Sequence, residues 1–389
     1  MAATFVLPEP VHGYAQNSAR SGESVTLVVK EFCSSEDGAS FISRMEGIPS
    51  MLLSRLPAQD RVKPSQIDRL LALIDQDWTV TLYLNSEVIL HCTYTHKGKE
   101  VSAGDGVHQD NIADIRRIDF EGIVLPPEVG FLFLFSVGWR KGLYFDFQPL
   151  FPPYFPKREE DVGRSLAKVF SYVAFQDLFQ LSADGWNALF AQRWFPFISL
   201  RNETRRKIIT YAKENWDIDE LLESIAADTR ERLPLMRETW EKKNVMAAHL
   251  PLLARAYDTY LSGDYISSAS ILYPRIEGVM RQLYPGSGRP SVRALLQTVL
   301  EAGTSGRHSH SLLLPSNFVH YLREVYFANF DPKNPNVFSR HSIAHGVAHA
   351  ADFSLKAATI GFLILDQLSF CIPETVAQKR QSLQPKDAI

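Results

Sequence analysis

Cysteine is scarce in this chain. Only Cys33, Cys92 and Cys371 occur among 389 residues, and no two form a CxxC pair. That excludes a disulfide scaffold and a cysteine-rich zinc site, and it suits a reducing compartment. Long apolar runs are also missing. The most apolar late stretch, Ile360 to Ile372, is 13 residues long and contains Asp366, whereas a membrane-spanning helix needs about 20 apolar residues. Neither sign of charge dominates: 41 basic and 44 acidic residues give a net charge of −3, so the chain is no histone-like or tail-type nucleic-acid binder. There is no P-loop and no glycine-rich Rossmann turn, no internal repeat and no low-complexity tract. The opening residues MAATFVLPEPVHG lack a basic segment ahead of an apolar one, unlike a signal peptide. The expectation is a soluble, cytoplasmic protein with no membrane partner, no cofactor and no metal.

What is present is ordinary globular material, 45% hydrophobic and 11% aromatic, in a length that predicts two or three domains. Residues 1–156 carry 13 basic and 19 acidic groups, residues 157–244 carry 15 of each, and residues 245–389 carry 13 and 10. The mild basic excess therefore lies in the C-terminal third.

The fold class expected is α+β: an N-terminal β-rich domain, sandwich or open barrel, followed by an all-α bundle. Strands are predicted at Ser24 to Lys30, Trp78 to Leu84, Val88 to Tyr94, Phe131 to Val137 and Leu143 to Phe147, where β-branched and aromatic residues concentrate. Gly138 to Gly142 reads as a hairpin loop with glycines at both ends. Within this region Ile67, Leu70, Leu71 and Ile74 recur at i, i+3, i+4, i+7 and predict a helix over Pro64 to Gln76. Three prolines in LFPPYFPK, residues 150–157, mark a domain boundary.

Beyond it the period is helical. Helices are predicted at Glu159 to Phe179, Ser182 to Trp194, Glu203 to Tyr211, Asp217 to Ala227, Arg230 to Tyr260, Tyr265 to Tyr284 (kinked or split at Pro274), Ser291 to Ala302, Pro315 to Phe330 and Ser339 to Phe370. The division expected is 1–150, 151–244 and 245–372, with a polar tail at 373–389.

The segment most suggestive of chemistry is Asn336-Val337-Phe338-Ser339-Arg340-His341-Ser342-Ile343-Ala344-His345-Gly346. Ser339 is a predicted N-cap, so Arg340 and His341 would open a long helix. A helix start and an arginine fork suit phosphate oxygens, and a histidine exchanges protons near neutral pH. Cleavage of a phosphodiester through a ribose 2′-hydroxyl needs a base, an acid and charge stabilisation, but no metal. The plainer alternative is a capped helix with a packed histidine.

Arg340-His341-x-x-x-His345-Gly346 resembles the R-x4–6-H motif of the HEPN superfamily of all-α RNA-cleaving domains. Tyr265 to Leu283 (YISSASILYPRIEGVMRQL) is similar to an earlier helix of its bacterial members, and the resemblance covers about 245–372. The N-terminal part is similar in flavour to the sensor-like domains of ApeA-like antiphage proteins. The resemblance implies a metal-independent endoribonuclease acting on RNA, possibly tRNA, as a homodimer with one composite site. It also implies a bacterial antiphage or abortive-infection role, with an unknown trigger, a phage component or a nucleotide, acting at the N-terminal domain. Residue by residue it implies that Arg340 holds the scissile phosphate, that His345 handles a proton, that His341 fills the polar position after the arginine, and that Glu277 supports them. The rival is a non-catalytic HEPN-like module that binds RNA, nucleotide or protein.

Other features have bland and functional readings side by side. His341, His345 and His349 at i, i+4, i+8 would form one helical stripe, a possible metal face. Glu277 could simply pair with Arg281 at i+4, and Arg275 and Arg281 could contact RNA backbone or face solvent. Arg201, Arg205, Arg206 and Lys207 could track a nucleic-acid backbone or be solvated. His308 and His310 lie in a predicted Gly/Ser-rich loop. Trp186, Phe190, Trp194, Phe195 and Phe197 could stack on bases but suit a core better.

Overall fold

The computed structural model describes residues 2–151, 158–329 and 338–372. The proline-rich boundary at 152–157 and the tail at 373–389 lie outside the described residues. The chain is α+β, with an antiparallel sheet region up to about residue 150 followed by a helical region. It forms two compact units, residues 1–94 with 115–176, and residues 95–114 with 177–389.

In the first unit β1 (Ala2–Val6), β6 (Thr79–Leu84), β5 (Arg69–Ile74), β9 (Gly130–Val137), β10 (Arg140–Asp146) and β4 (Lys30–Ser34) form one sheet in that order. The sheet is antiparallel and open, with β1 and β4 at its edges. The short strands β2 (Tyr14–Ala15) and β3 (Leu27–Val28) pair separately. Leu70, Ala72 and Ile74 share one face with Leu132 and Leu134, packed with residues of α1 (Ala39–Glu46) and α2 (Ile48–Ser54) such as Phe41 and Leu52. On the other face Phe133 meets Phe120 and Phe135 meets Phe170, with ring centroids 5.1 and 5.7 Å apart.

The expected helix at Pro64 to Gln76 is instead a strand, β5. Both faces of this central strand are covered, so after Arg69 its sequence LLALI is apolar and loses the alternation that marks a half-exposed strand. Such a short apolar run matches a helical template by accident. The five-residue hairpin loop is also corrected. Arg140 pairs with Val137, which leaves only Gly138-Trp139 as the turn. Gly142 sits inside β10, where a Cβ would lie 2.6 Å from the Phe135 ring and 3.0 Å from Val173 of α3 (Val162–Ala174). Its role is close packing.

The strands β7 (Leu90–His96) and β8 (Ile112–Phe120) form a two-stranded sheet. Residues 95–114, from the end of β7 to the start of β8, belong to the helical unit. That unit contains α5 (Ala183–Ala191), α6 (Asn202–Lys213), α7 (Leu222–Glu241), α8 (Leu250–Leu261), α9 (Tyr265–Leu283), α10 (Val292–Thr304) and α11 (Pro315–Tyr321). The short α4 (Gln176–Phe179) precedes them, and a single π turn, Leu322–Tyr326, follows α11. Then come α12 (Arg340–Ala344) and α13 (Leu355–Cys371).

α13 is buried on nearly every side, which is why its sequence is apolar all round. The Arg230 to Tyr260 helix divides into the end of α7, a 3-10 stretch at Asn244–His249, and α8. Pro274 does not split α9, which runs unbroken through it. The missing N–H costs one bond, while Leu272, Tyr273, Ile276, Val279 and Met280 stay buried. Among the described residues no helix is long and apolar enough to cross a membrane.

Candidate functional site

The site is built on α9 and α12. α12 starts as the sequence predicts. The Ser339 hydroxyl accepts from the Ser342 N–H at 3.3 Å, and the Ser342 hydroxyl accepts from the Ser339 N–H at 2.8 Å. This reciprocal cap satisfies two backbone donors that the first turn leaves open. The long helix expected from Ser339 to Phe370 is not formed. α12 is five residues long and ends at His345. Gly346 adopts φ +68°, its N–H bonds the Ile343 carbonyl at 3.1 Å, and the Val347 N–H bonds the Ser342 carbonyl at 3.0 Å. This left-handed double bond is a Schellman stop, for which glycine is the favoured residue.

The stop dismantles the histidine stripe. His349 lies beyond it, capping a 3-10 turn at Ala350–Asp352 with its N–H on Asp352. Among the described residues no three histidine, cysteine or carboxylate side chains converge as a metal site.

Glu277 joins the two elements. It is 95% buried on α9, and its carboxylate takes the Arg340 Nε on one oxygen and the Arg281 Nε, at 2.8 Å, on the other. Glu277 therefore pairs with Arg281 at i+4 and with Arg340 on α12 at once. Arg340 and Arg281 remain about a quarter to a third exposed. Beneath them the Tyr326 hydroxyl donates to the Tyr273 carbonyl at 2.5 Å. Burial pushes the Tyr326 phenol well above its ordinary range, with Glu277 pushing the same way and Arg340 opposing.

His341 is half-buried beside Phe327, ring centroids 6.0 Å apart. Burial lowers its pKa below 6.5. Arg340 and His345 lower it further, and Glu277 opposes them. Burial and the neighbouring cations thus favour its neutral form. His345, at the end of α12, is exposed.

Arg193 is the site residue that sequence reasoning missed. It follows α5 in the left-handed region, φ +64°. The Arg193 N–H bonds the Phe190 carbonyl and the Trp194 N–H bonds the Leu189 carbonyl, a Schellman stop with arginine where glycine is usual. Its guanidinium donates to the Phe338 carbonyl, one residue before the Ser339 cap. It also lies beside the Tyr273 phenol, which burial pushes up to about 12 against the opposing charge of Arg193. The signal in the sequence was only the absence of a glycine after α5, too slight to read without the backbone.

Several remaining candidates resolve as packing or paired charge. Arg205 is buried, its guanidinium donating to the Pro196 and Leu312 carbonyls. Arg201 pairs with Asp228 and Glu231, and Lys207 with Glu203, while Arg206 is exposed with its Nε on the Asn202 carbonyl. Trp194, Phe195 and Phe197 are fully buried, and Phe190 nearly so. His308 is buried and His310 packs on Phe179 at 5.0 Å. Comparison with protein-family models, with curated proteins and with solved structures returned no match.

Proposed function

We propose that the chain is a metal-independent endoribonuclease of the HEPN kind. The observation that carries this is the tethering of Arg340 by a buried carboxylate on α9, beside a neutral His341 and an exposed His345. A guanidinium held by a carboxylate is fixed in place where it can meet phosphate oxygens. The His345 imidazole can take the proton of a ribose 2′-hydroxyl, whose oxygen then attacks the adjacent phosphorus and expels the 5′-oxygen, which leaves as a hydroxyl on receiving the proton from the imidazolium so formed. The resulting end is a 2′,3′-cyclic phosphate.

Five residues on a helix turn through about 140°, so Arg340 and His345 of one α12 diverge around its axis. This favours a homodimer in which two α12 helices complete one site, the Arg340 of each protomer serving with the His345 of its partner. A cytoplasmic location, an antiphage or growth-arrest role and a trigger acting on the first unit belong to the same proposal.

The test is to incubate the full chain with tRNA and total RNA in EDTA, and to examine product ends. Cyclic phosphate ends formed in chelator support the nuclease. Retention of RNA without cleavage, under every trigger supplied, favours the non-catalytic binder. A strict requirement for added zinc or manganese contradicts the mechanism.

A further inference from the structure

The α9–α12 cluster holds more positive charge than its one acid can neutralise. Glu277 is a single buried carboxylate, and two guanidiniums share it. Arg340 meets one oxygen through Nε. Arg281, one turn further along α9, meets the other through Nε at 2.8 Å and also through a terminal nitrogen. Among the described residues no second carboxylate pairs with either arginine. One positive charge of the pair is therefore left over. The side chains of Arg281 and Arg340 are 33% and 25% exposed, against 6% for Glu277, so solvent reaches the arginines and hardly reaches the acid. The cleavage proposed above uses Arg340 and gives Arg281 no part.

We propose that Arg281 binds the phosphate next to the scissile one, so that the site takes a strand with two consecutive phosphodiesters. This rests on the nuclease reading of Arg340. Two hydrogen bonds and the width of one carboxylate separate the two Nε atoms, a span of at most about 8 Å. Neighbouring phosphates of a strand are about 3.4 Å apart along a helix axis and further apart through space. One nucleotide step thus falls within the reach of the pair. A guanidinium suits phosphate oxygens through its planar fork of donors. Both side chains are already held by Glu277, so less ordering is needed when the strand arrives. A ligand with one phosphodiester satisfies one arginine only.

The plainer role for Arg281 is to hold Glu277 in place, which makes no use of charge on the ligand. A short 2′-O-methyl RNA strand, which cannot be cut through its 2′ position, is bound to the full chain over a range of salt. Each phosphate contact adds about 0.7 to the slope of log K against log salt. Arg281→Gln is expected to flatten that slope by about 0.7 and to weaken binding about tenfold at low salt. An unchanged slope in Arg281→Gln, or no binding by the wild type, would overturn the proposal. Adjacency is read on a strand of 2′-O-methyl residues with one ribonucleotide at the position cut in natural RNA. An uncharged methylphosphonate replaces one linkage beside that position. At one of the two flanking linkages it should slow the wild type about tenfold and slow Arg281→Gln no further. Equal slowing of both proteins at both linkages overturns the proposal and leaves Arg281 its structural role. Should the slope respond while the wild type cuts no strand, the nuclease reading falls and the two-phosphate site stands.

Discussion

Arg193 shows how a single residue can serve two masters. A non-glycine residue in the left-handed region is strained by about 1–2 kcal/mol, yet the arginine there holds the segment ahead of α12 through the Phe338 carbonyl. Arg193→Ala loses the tether and keeps the strain, whereas Arg193→Gly loses the tether and relieves it. Denaturant unfolding should therefore find the alanine variant less stable than the glycine variant by about 1 kcal/mol, with RNA cleavage reduced in both. Equal stabilities would remove the strain from the account. Glu277→Gln leaves Arg340 and Arg281 without their shared anion, both partly exposed. A stability loss of about 1–2 kcal/mol and a much larger proportional loss of cleavage should follow. His341 supplies a pH test. Its folded pKa lies below 6.5, so below that value the unfolded chain binds protons more readily than the folded one. Its contribution is present above pH 6.5 and is lost as pH falls through the lowered value. His96 and His249, also lowered chiefly by burial, act in the same direction. Urea midpoints should drop between pH 7 and 5, and His341→Gln should flatten that drop.

At the scale of elements, the segment between β7 and β8 carries more than its place in the chain suggests. Lys97 is 94% buried and donates to the Ile198 and Leu200 carbonyls at 2.8 and 3.0 Å. Burial, aided by Arg205 and Arg232, holds its amine well below the ordinary lysine range. Arg232 bonds the Lys97 carbonyl and, at 3.1 Å, Asp366 of α13. Asp110 accepts from the Asn202 N–H at 2.7 Å, and Asp114 accepts from the Leu312 N–H while pairing with Arg307 at 3.1 Å. Removing residues 1–150 would strip these partners from buried groups of the helical unit. That truncation should give an insoluble or loosely folded fragment, seen as loss of cooperative thermal unfolding, and it cannot test gating of the nuclease by the first unit. Asp114→Ala, which leaves Arg307 buried without its carboxylate, should cost about 3–5 kcal/mol. A cost under 1 kcal/mol would show that the segment does not support the helices.

Taken as a whole, the molecule was legible where one face of an element meets solvent and illegible where it does not. The antiparallel strands with mixed faces, the cap at Ser339, the helix starts near Ser182 and Ser291, and the switch from strand to helix near residue 150 follow from local pattern. β5 did not, because a sheet covered on both sides erases the period of two. The end of α12 did not, because His341, Ala344 and His345 fit a helix that Gly346 halts. Of the candidate site, Arg340, His341 and His345 were singled out by a helix start with arginine and histidine, and Glu277 by the resemblance alone. Their joining through one carboxylate is a tertiary fact, as is the part of Arg193. The central claim is that Arg340 and His345 cut RNA without a metal, and purified wild type, Arg340→Ala and His345→Ala assayed with tRNA in EDTA test it most directly. The account predicts cleavage by the wild type, at least a hundredfold slower in each variant, with all three folding alike. Cleavage of the same rate in either folded variant, or none by the wild type, would contradict it.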